Sequence, residues 1–331
     1  MALHSGDAVK RMPMRTICRI CATEFTATAF PVFEMMFGTS ERFNYVLCPG
    51  CGSLQILELP ADLERHYTTN AYYAYSTVFS TGIRERLLRL RDGVYFGQSS
   101  ILGRFLARQR PAHLMQVLAE AGIQPEMRIL DVGAGAGLLL DRLARLGFRR
   151  LAGIDPFLPA QMVTPAGVTI RRAALDDVHE PQDVIMFNHS LEHVADPAAE
   201  LRHAARLLRG GGRCIVRVPT PSSTAWDRYD AYWVQLDAPR HLALPSRAGM
   251  ARLAARTGFV LEMTIDDSSG FGFWASELYR KGIPMFCHKG HAFDPIMHFG
   301  TAQIAEWEAM AAAANAAGRG DQAAFILRRI D

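Results

Sequence analysis

Arg128-Ile129-Leu130-Asp131-Val132-Gly133-Ala134-Gly135-Ala136-Gly137 is the stretch on which the fold of this chain turns. Its first half, up to Gly133, reads as a buried strand, with Ile129, Leu130 and Val132 apolar. The second half is small residues only, and Leu138 to Leu146 then shows helical spacing, closed by Gly147. A strand that passes into a helix through glycines lets the backbone approach a ligand closely.

Reading outward, strand and helix keep alternating. Leu151 to Asp155, Val168 to Arg172 and Asp183 to Asn188 read as the next strands. Asp196 is placed to cap a helix with Pro197 at its first position, and that helix runs to Arg209 and stops at Gly210-Gly211-Gly212. Cys214 to Val218, Phe259 to Ile265 and Ala323 to Arg329 complete the set. The pattern predicts an α/β fold, a doubly wound, mainly parallel, seven-stranded sheet covered on both faces. An insertion at about 268–321 includes an alanine-rich helix around Ala302 to Ala317.

Glycine-rich loops also serve nicotinamide and flavin enzymes, but two details speak against a dinucleotide. The third small residue of that fingerprint falls at Leu138, and Asp131 sits at the strand end. A pyrophosphate is repelled by a carboxylate there, whereas an ammonium or sulfonium is attracted. Asp155 ends the next strand, where a carboxylate can accept from both hydroxyls of a ribose. The plainer alternative is that both are ordinary strand-end carboxylates.

Leu130 to Gly137, Gly153-Ile154-Asp155, Asn188-His189-Ser190-Leu191-Glu192-His193-Val194 with Asp196-Pro197, and Leu207 to Pro219 resemble, in this order, the motifs of class I S-adenosylmethionine-dependent methyltransferases. The resemblance covers roughly Gln124 to Pro219. It implies a Rossmann-like methyltransferase domain over 123–331 with S-adenosylmethionine as cofactor. Gly133, Gly135 and Asp131 would then lie at the methionine end, Asp155 at the ribose, and Asn188 beside the transfer site. The place after the third strand that often offers an aspartate to adenine is Ala174, so Leu175 or Asp176 must substitute.

Ahead of that domain lie two Cys-x-x-Cys pairs, Cys18 with Cys21 and Cys48 with Cys51, inside a segment, 1–60, without long helical periodicity. Two such turns can surround one ion with four thiolates, and a filled tetrahedron leaves no place for substrate, so a structural Zn2+ is expected. A pair of redox disulfides is the alternative in an oxidising compartment. Residues 61–122 read as a helical bridge that carries the aromatic run Tyr72-Tyr73-Ala74-Tyr75.

A zinc module before a methyltransferase domain resembles two groups: bacterial methyltransferases acting on sugars and polysaccharide precursors, and ribosomal RNA guanine methyltransferases with a zinc ribbon. The first is closer, through the tyrosine-rich segment and through Asp237-Ala238-Pro239-Arg240-His241-Leu242. By this resemblance Tyr75 touches cofactor. The C-methyltransferases of that group have glutamate where this chain has Arg240, which favours O-methylation.

Methyl transfer to a hydroxyl needs alignment and a proton acceptor, and histidine suits the second task. His189, His193 and His241 follow strand ends. His193 reads as packing against the sheet. His241, in a proline-containing loop placed outside the core, is the expected base or acceptor-orienting group, with Arg240 beside it for an anionic substrate and His189 in reserve. Trp226, Tyr229, Tyr232 and Trp233 suit a saccharide or aromatic acceptor, or else a packed lid.

Composition bounds the rest. The 331 residues are 49% hydrophobic and 21% charged with a formal charge of +3, which fits a globular enzyme and does not announce a polyanion partner. With no apolar run of membrane-spanning length and no signal-like amino end, a cytoplasmic protein is expected. The reading is therefore a methyltransferase for a small molecule, a sugar, nucleotide sugar or polysaccharide precursor. An RNA methyltransferase, for which Arg11, Arg15 and Arg19 would supply a basic face, and a non-catalytic nucleoside-binding zinc protein are the alternatives.

Overall fold

The computed structural model describes residues 14–67, 79–286 and 293–330. The amino end forms β1 (Met14–Ile17), β2 (Glu24–Ala27), β3 (Phe30–Phe33), β4 (Arg42–Leu47) and β5 (Leu54–Ile56), followed by α1 (Gly82–Gly93), α2 (Ile101–Gln109) and α3 (His113–Glu120). The alternating part then runs β6 (Arg128–Val132), α4 (Leu138–Arg145), β7 (Arg150–Ile154), β8 (Met162–Val163), β9 (Thr169–Arg171), β10 (Gln182–Asn188), α5 (Pro197–Leu207) and β11 (Leu208–Pro219). The remainder is α6 (Thr224–Tyr229), β12 (Ala243–Leu244), α7 (Arg247–Ala255), β13 (Phe259–Asp266), α8 (Phe271–Arg280), α9 (Pro295–Phe299), α10 (Thr301–Ala316) and β14 (Gln322–Arg329).

The central sheet has the order β13-β14-β11-β10-β6-β7-β9-β8. Pairs from β9 to β11 are parallel, and β14 enters antiparallel between β11 and β13. It holds 8 strands rather than the seven expected, because the two-residue β8 folds back antiparallel on β9, too short to leave a hydrophobic period. Asp196 caps α5 as read, its Oδ1 accepting from the Ala199 amide at 2.9 Å. That helix stops at Leu207, since β11 begins directly at Leu208.

Strand alternation sends neighbouring residues to opposite cores. Leu130, Ile185, Val216 and Phe325 pack on one face with Leu201 of α5 and Leu253 of α7. Ile129, Val184, Ile215 and Ile326 pack on the other with Leu140 and Leu143 of α4 and Met115 of α3. The first of these cores also contains Cys18, Ile20, Val46 and Cys48, so the amino-terminal segment rests on α7. Arg252 of that helix and Arg256 just after it donate to the carbonyls of Gly50 and Ile20 at 2.6 and 3.0 Å.

A further tie is made by backbone. The amino-terminal sheet has the order β12-β5-β4-β3, so its edge strand comes from residues 243–244, just past His241. The Ile56 amide donates to the Leu242 carbonyl at 3.0 Å, and the Tyr45 hydroxyl donates to the His241 carbonyl at 2.8 Å. Among the described residues, no helix is long and apolar enough to cross a membrane.

Candidate active site

The glycine loop is held from the neighbouring strand. The amides of Gly133 and Ala134 both donate to the Ile154 carbonyl, at 2.8 and 3.0 Å. The Gly135 amide donates to Asp155 Oδ2 at 3.0 Å, while Asp155 Oδ1 accepts from the Phe157 amide at 2.9 Å. Asp155 thus organises the loop, and a carboxylate's remaining lone pairs leave it able to accept more. Gly133 cannot be replaced cheaply: its φ is +76° and an added Cβ would stand 2.4 Å from the Ser190 Cβ. Only the backbone fits between β6 and the segment after β10.

Asp131 is buried, and its Oδ1 accepts no hydrogen bond from the protein. Burial first, and then the charge of Asp155, push its carboxyl up to about 8. Such an orphaned acid suits a positively charged group brought by a ligand.

Two cavities flank this loop. One, of about 310 Å³, runs over the ends of β6 and β7 and is walled by Asp155, Phe157, Ala174, Leu175 and Glu200. Phe157 stacks on Tyr67 with ring centres 5.4 Å apart, giving this trough an aromatic rim. Leu175 lines it, whereas Asp176 turns outward to pair with His203, which removes Asp176 from the cofactor set expected from sequence. The second cavity, of about 590 Å³, contains Asp131, Asn188 and Gln235 against a largely apolar wall that includes Met36, Phe271, Trp274 and Phe286. The two share Gly133, His189 and His193.

His189 stands at that junction with φ +55°, a conformation few side chains adopt without a reason. Its side chain is 35% exposed and its Nδ1 lies 3.3 Å from Glu192 Oε1. Asn188 faces the larger cavity and accepts from Arg217 at 3.1 Å. His193 borders both cavities instead of packing into the sheet, and its Nδ1 lies 2.9 Å from the Arg240 carbonyl. Burial, then His241, lower the His193 imidazole to about 4, so it is neutral at ordinary pH.

His241 corrects the picture of a free loop outside the core. It is 5% exposed, its Nδ1 is 2.7 Å from the Gln235 carbonyl, and its backbone is pinned by Tyr45. Arg240 is not available to an anionic substrate: it is 1% exposed and paired with Asp237 and Glu34. Burial opposes the Arg240 charge, yet Asp237 and Glu34 overcome that and raise its pKa. The cluster Trp226, Tyr229, Tyr232 and Trp233 also lies elsewhere. Trp226 packs on Phe30 and Trp233, and Trp233 donates to Asp321 at 3.1 Å, so the cavity aromatics come instead from α8 and from Phe286 and Phe293. Tyr72, Tyr73 and Tyr75 lie outside the described residues.

The four cysteines of the amino end converge. Cys18 and Cys51 sulfurs are 3.7 Å apart, as are those of Cys21 and Cys48. A tetrahedron with about 2.3 Å metal–sulfur bonds has edges of about 3.8 Å, so the spacing fits a zinc ion. The contact with Cys18 brings the Cys51 thiol down to about 4, and the same contact, with burial, raises Cys18. Of the arginines that an RNA-binding face would need, Arg15 pairs with Glu24, Arg19 turns inward to the Ala195 carbonyl, and Arg11 lies outside the described residues.

Glu192, Phe157, Tyr67, Glu200 and the apolar wall were not singled out from sequence. Glu192 carried a signal, three residues after one histidine and just before another; Met36 carried none, since it arrives from the amino-terminal module.

Residues 106–263 match the family model described as Methyltransferase domain. The chain is 30% identical over 132 residues to the ubiquinone biosynthesis O-methyltransferases of Yersinia pestis (strain Pestoides F) and Yersinia pseudotuberculosis (serotype O:1b), a match covering 37% of this chain and 54% of each relative. The chain thus spans about half the length of the curated relatives it matches, 54%. Among solved structures it is similar to a mycolic acid cyclopropane synthase complexed with SAH and CTAB, at 19% identity, with 68% of this chain and 85% of that one covered and a TM-score of 0.43. An S-adenosylmethionine dependent methyltransferase from Mesorhizobium loti is similar at 18% identity, with 65% and 97% covered and a TM-score of 0.40.

Proposed function

We propose, for a chain that carries a methyltransferase domain over residues 106–263, that it transfers the methyl group of S-adenosylmethionine to an oxygen of a small molecule. The observation that carries this reading is the buried Asp131 carboxylate, with an oxygen that accepts no hydrogen bond from the protein, beside the glycine loop. Once ionised, it fits an ammonium or sulfonium and repels a pyrophosphate. When bound, the cofactor supplies a methyl carbon made electrophilic by the sulfonium.

The chain's own residues do the rest. Asp155 and Leu175 hold the nucleoside in the smaller trough, between the Phe157 rim and Glu200. Gly133 and Gly135 keep side chains out of the way, and Asp131 takes the positive amino-acid end. In the larger cavity the acceptor lies against Trp274 and Phe286 with its reacting oxygen toward the shared wall. His189, half-exposed there, accepts the proton. His241 orients the acceptor from the same wall. The four cysteines hold a structural zinc ion that fixes the module against α7.

An apolar wall with a polar end suits a ring with one poorly hydroxylated face: a deoxysugar carried on a nucleotide or glycan precursor, or an aromatic alcohol. The paired arginines of the amino-terminal module give no support to an RNA acceptor. Label transfer from methyl-labelled S-adenosylmethionine to a panel of nucleotide deoxysugars and phenols tests the reading. Transfer to either group supports it and names the acceptor class; tight binding of a nicotinamide dinucleotide with none of S-adenosylmethionine would sink it.

A further inference from the structure

Glu192, His193 and His241 each offer a ligand atom, and those atoms lie within 4.8 Å of one another. We infer that this triad binds a divalent first-row transition-metal ion at the floor of the acceptor cavity, a site separate from the four cysteines.

Three observations support it. The first is Glu192 itself, fully buried with neither carboxylate oxygen accepting a hydrogen bond. A buried carboxylate in that state is costly unless a cation meets it. The imidazole nitrogens His189 Nδ1 at 3.3 Å and His241 Nε2 at 3.9 Å approach without hydrogen-bond alignment or reach.

The second is the tautomer of each imidazole. His241 Nδ1 is 2.7 Å from the Gln235 carbonyl, and His193 Nδ1 is 2.9 Å from the Arg240 carbonyl. A carbonyl can only accept, and the Tyr67 hydroxyl, 3.1 Å from His193 Nδ1, itself donates to the Arg240 carbonyl, so a proton on Nδ1 satisfies both rings and leaves the lone pair on Nε2. Anchoring of this kind, with the outer nitrogen donating to a backbone carbonyl, is how metal-binding histidines are oriented.

The third is placement. His193 and His241 line the cavity wall while Glu192 lies behind them. Two imidazoles and one carboxylate leave coordination places open on the cavity side, and this donor set suits zinc, manganese, iron(II) or cobalt. The acceptor it selects carries an oxygen donor next to the reacting position. The ligands are rigid because His241 is held by the amino-terminal sheet through Tyr45 and Leu242.

Manganese(II) is the probe, because thiolates that hold zinc discriminate against it. The full-length protein, with its zinc content determined first, is titrated with manganese(II) and the free ion is followed by electron paramagnetic resonance, without methyl donor. One manganese per chain is expected, with affinity reduced at least about tenfold in Glu192→Gln and in His241→Asn, on the scale of losses at metal sites. Both variants should keep their zinc and a cooperative thermal transition; if one does not fold, the other decides. Absence of manganese and cobalt(II) binding at millimolar concentration, or binding unchanged in a folded variant, overturns the site. Since no methyl transfer is measured, failure here is distinct from failure of the proposed activity.

Discussion

Replacing Asp131 by asparagine removes one charge at nearly constant shape, and the burial of this side chain sets what should follow. Its carboxyl sits at about 8, so at pH 7, one unit below, about nine chains in ten hold it protonated. A cationic cofactor needs the carboxylate, and binding must therefore expel a proton. The apparent affinity of the natural protein should rise close to tenfold per pH unit up to about 8 and then level. A hydrogen bond to a charged group contributes about 1.5–3 kcal/mol, or about ten- to a hundredfold in Kd at 1.4 kcal/mol per decade. Asp131→Asn should show that whole loss at pH 9 and roughly one decade less at pH 7, with an affinity that barely changes with pH.

Stability should move the other way. This is an acid whose folded pKa, about 8, lies above its unfolded value, so the folded state takes up the proton. Its contribution declines as pH rises from about 4 to about 8 and is worst above that. The asparagine variant should therefore gain in Tm over the natural protein as pH climbs through that window. Calorimetric titration in two buffers of different ionisation heat, with thermal melts from pH 5 to 9, measures both effects. An affinity for S-adenosylmethionine independent of pH in the natural protein, or an unchanged Kd in the variant at pH 9, refutes the reasoning.

His189→Ala should lower kcat by about a hundredfold, the common scale for a general base, and leave cofactor Kd within about twofold. Steady-state rates beside direct cofactor titration separate the two. Cys48→Ser should cut bound zinc from one ion per chain and depress the melting temperature, because Cys48 packs in the same core as Leu253 of α7. Metal analysis and a thermal scan check it, and a zinc content unchanged in that variant would exclude Cys48 as a ligand.

The parts of this architecture that sequence disclosed are those whose causes are local. Asp196 with Pro197 caps a helix whatever surrounds it, and the spacing from Ile129 to Gly137 marks a strand, a tight loop and a helix within ten residues of chain. The two Cys-x-x-Cys turns announce themselves in the same way. Fates decided by distant partners were not legible. Arg240 looks like a free cation until Glu34, 206 positions away, closes on it. Nothing near Asp176 says that His203 will draw it outward, nor that Trp226 will pack on Phe30 while Met36 reaches the acceptor cavity.

The strand shared between residues 54–55 and 243–244 bears on how this chain can be altered or recombined. Exchanging the first sixty residues for a homologous leader would leave the later segment with an edge that no longer matches, and with it the wall that the acceptor touches. Tyr45 and the carbonyl it grips are 196 positions apart, so two remote stretches form one inherited unit. A graft intended to change acceptor preference has to carry both, and a deletion of the leader is expected to disable recognition even if the large sheet still folds.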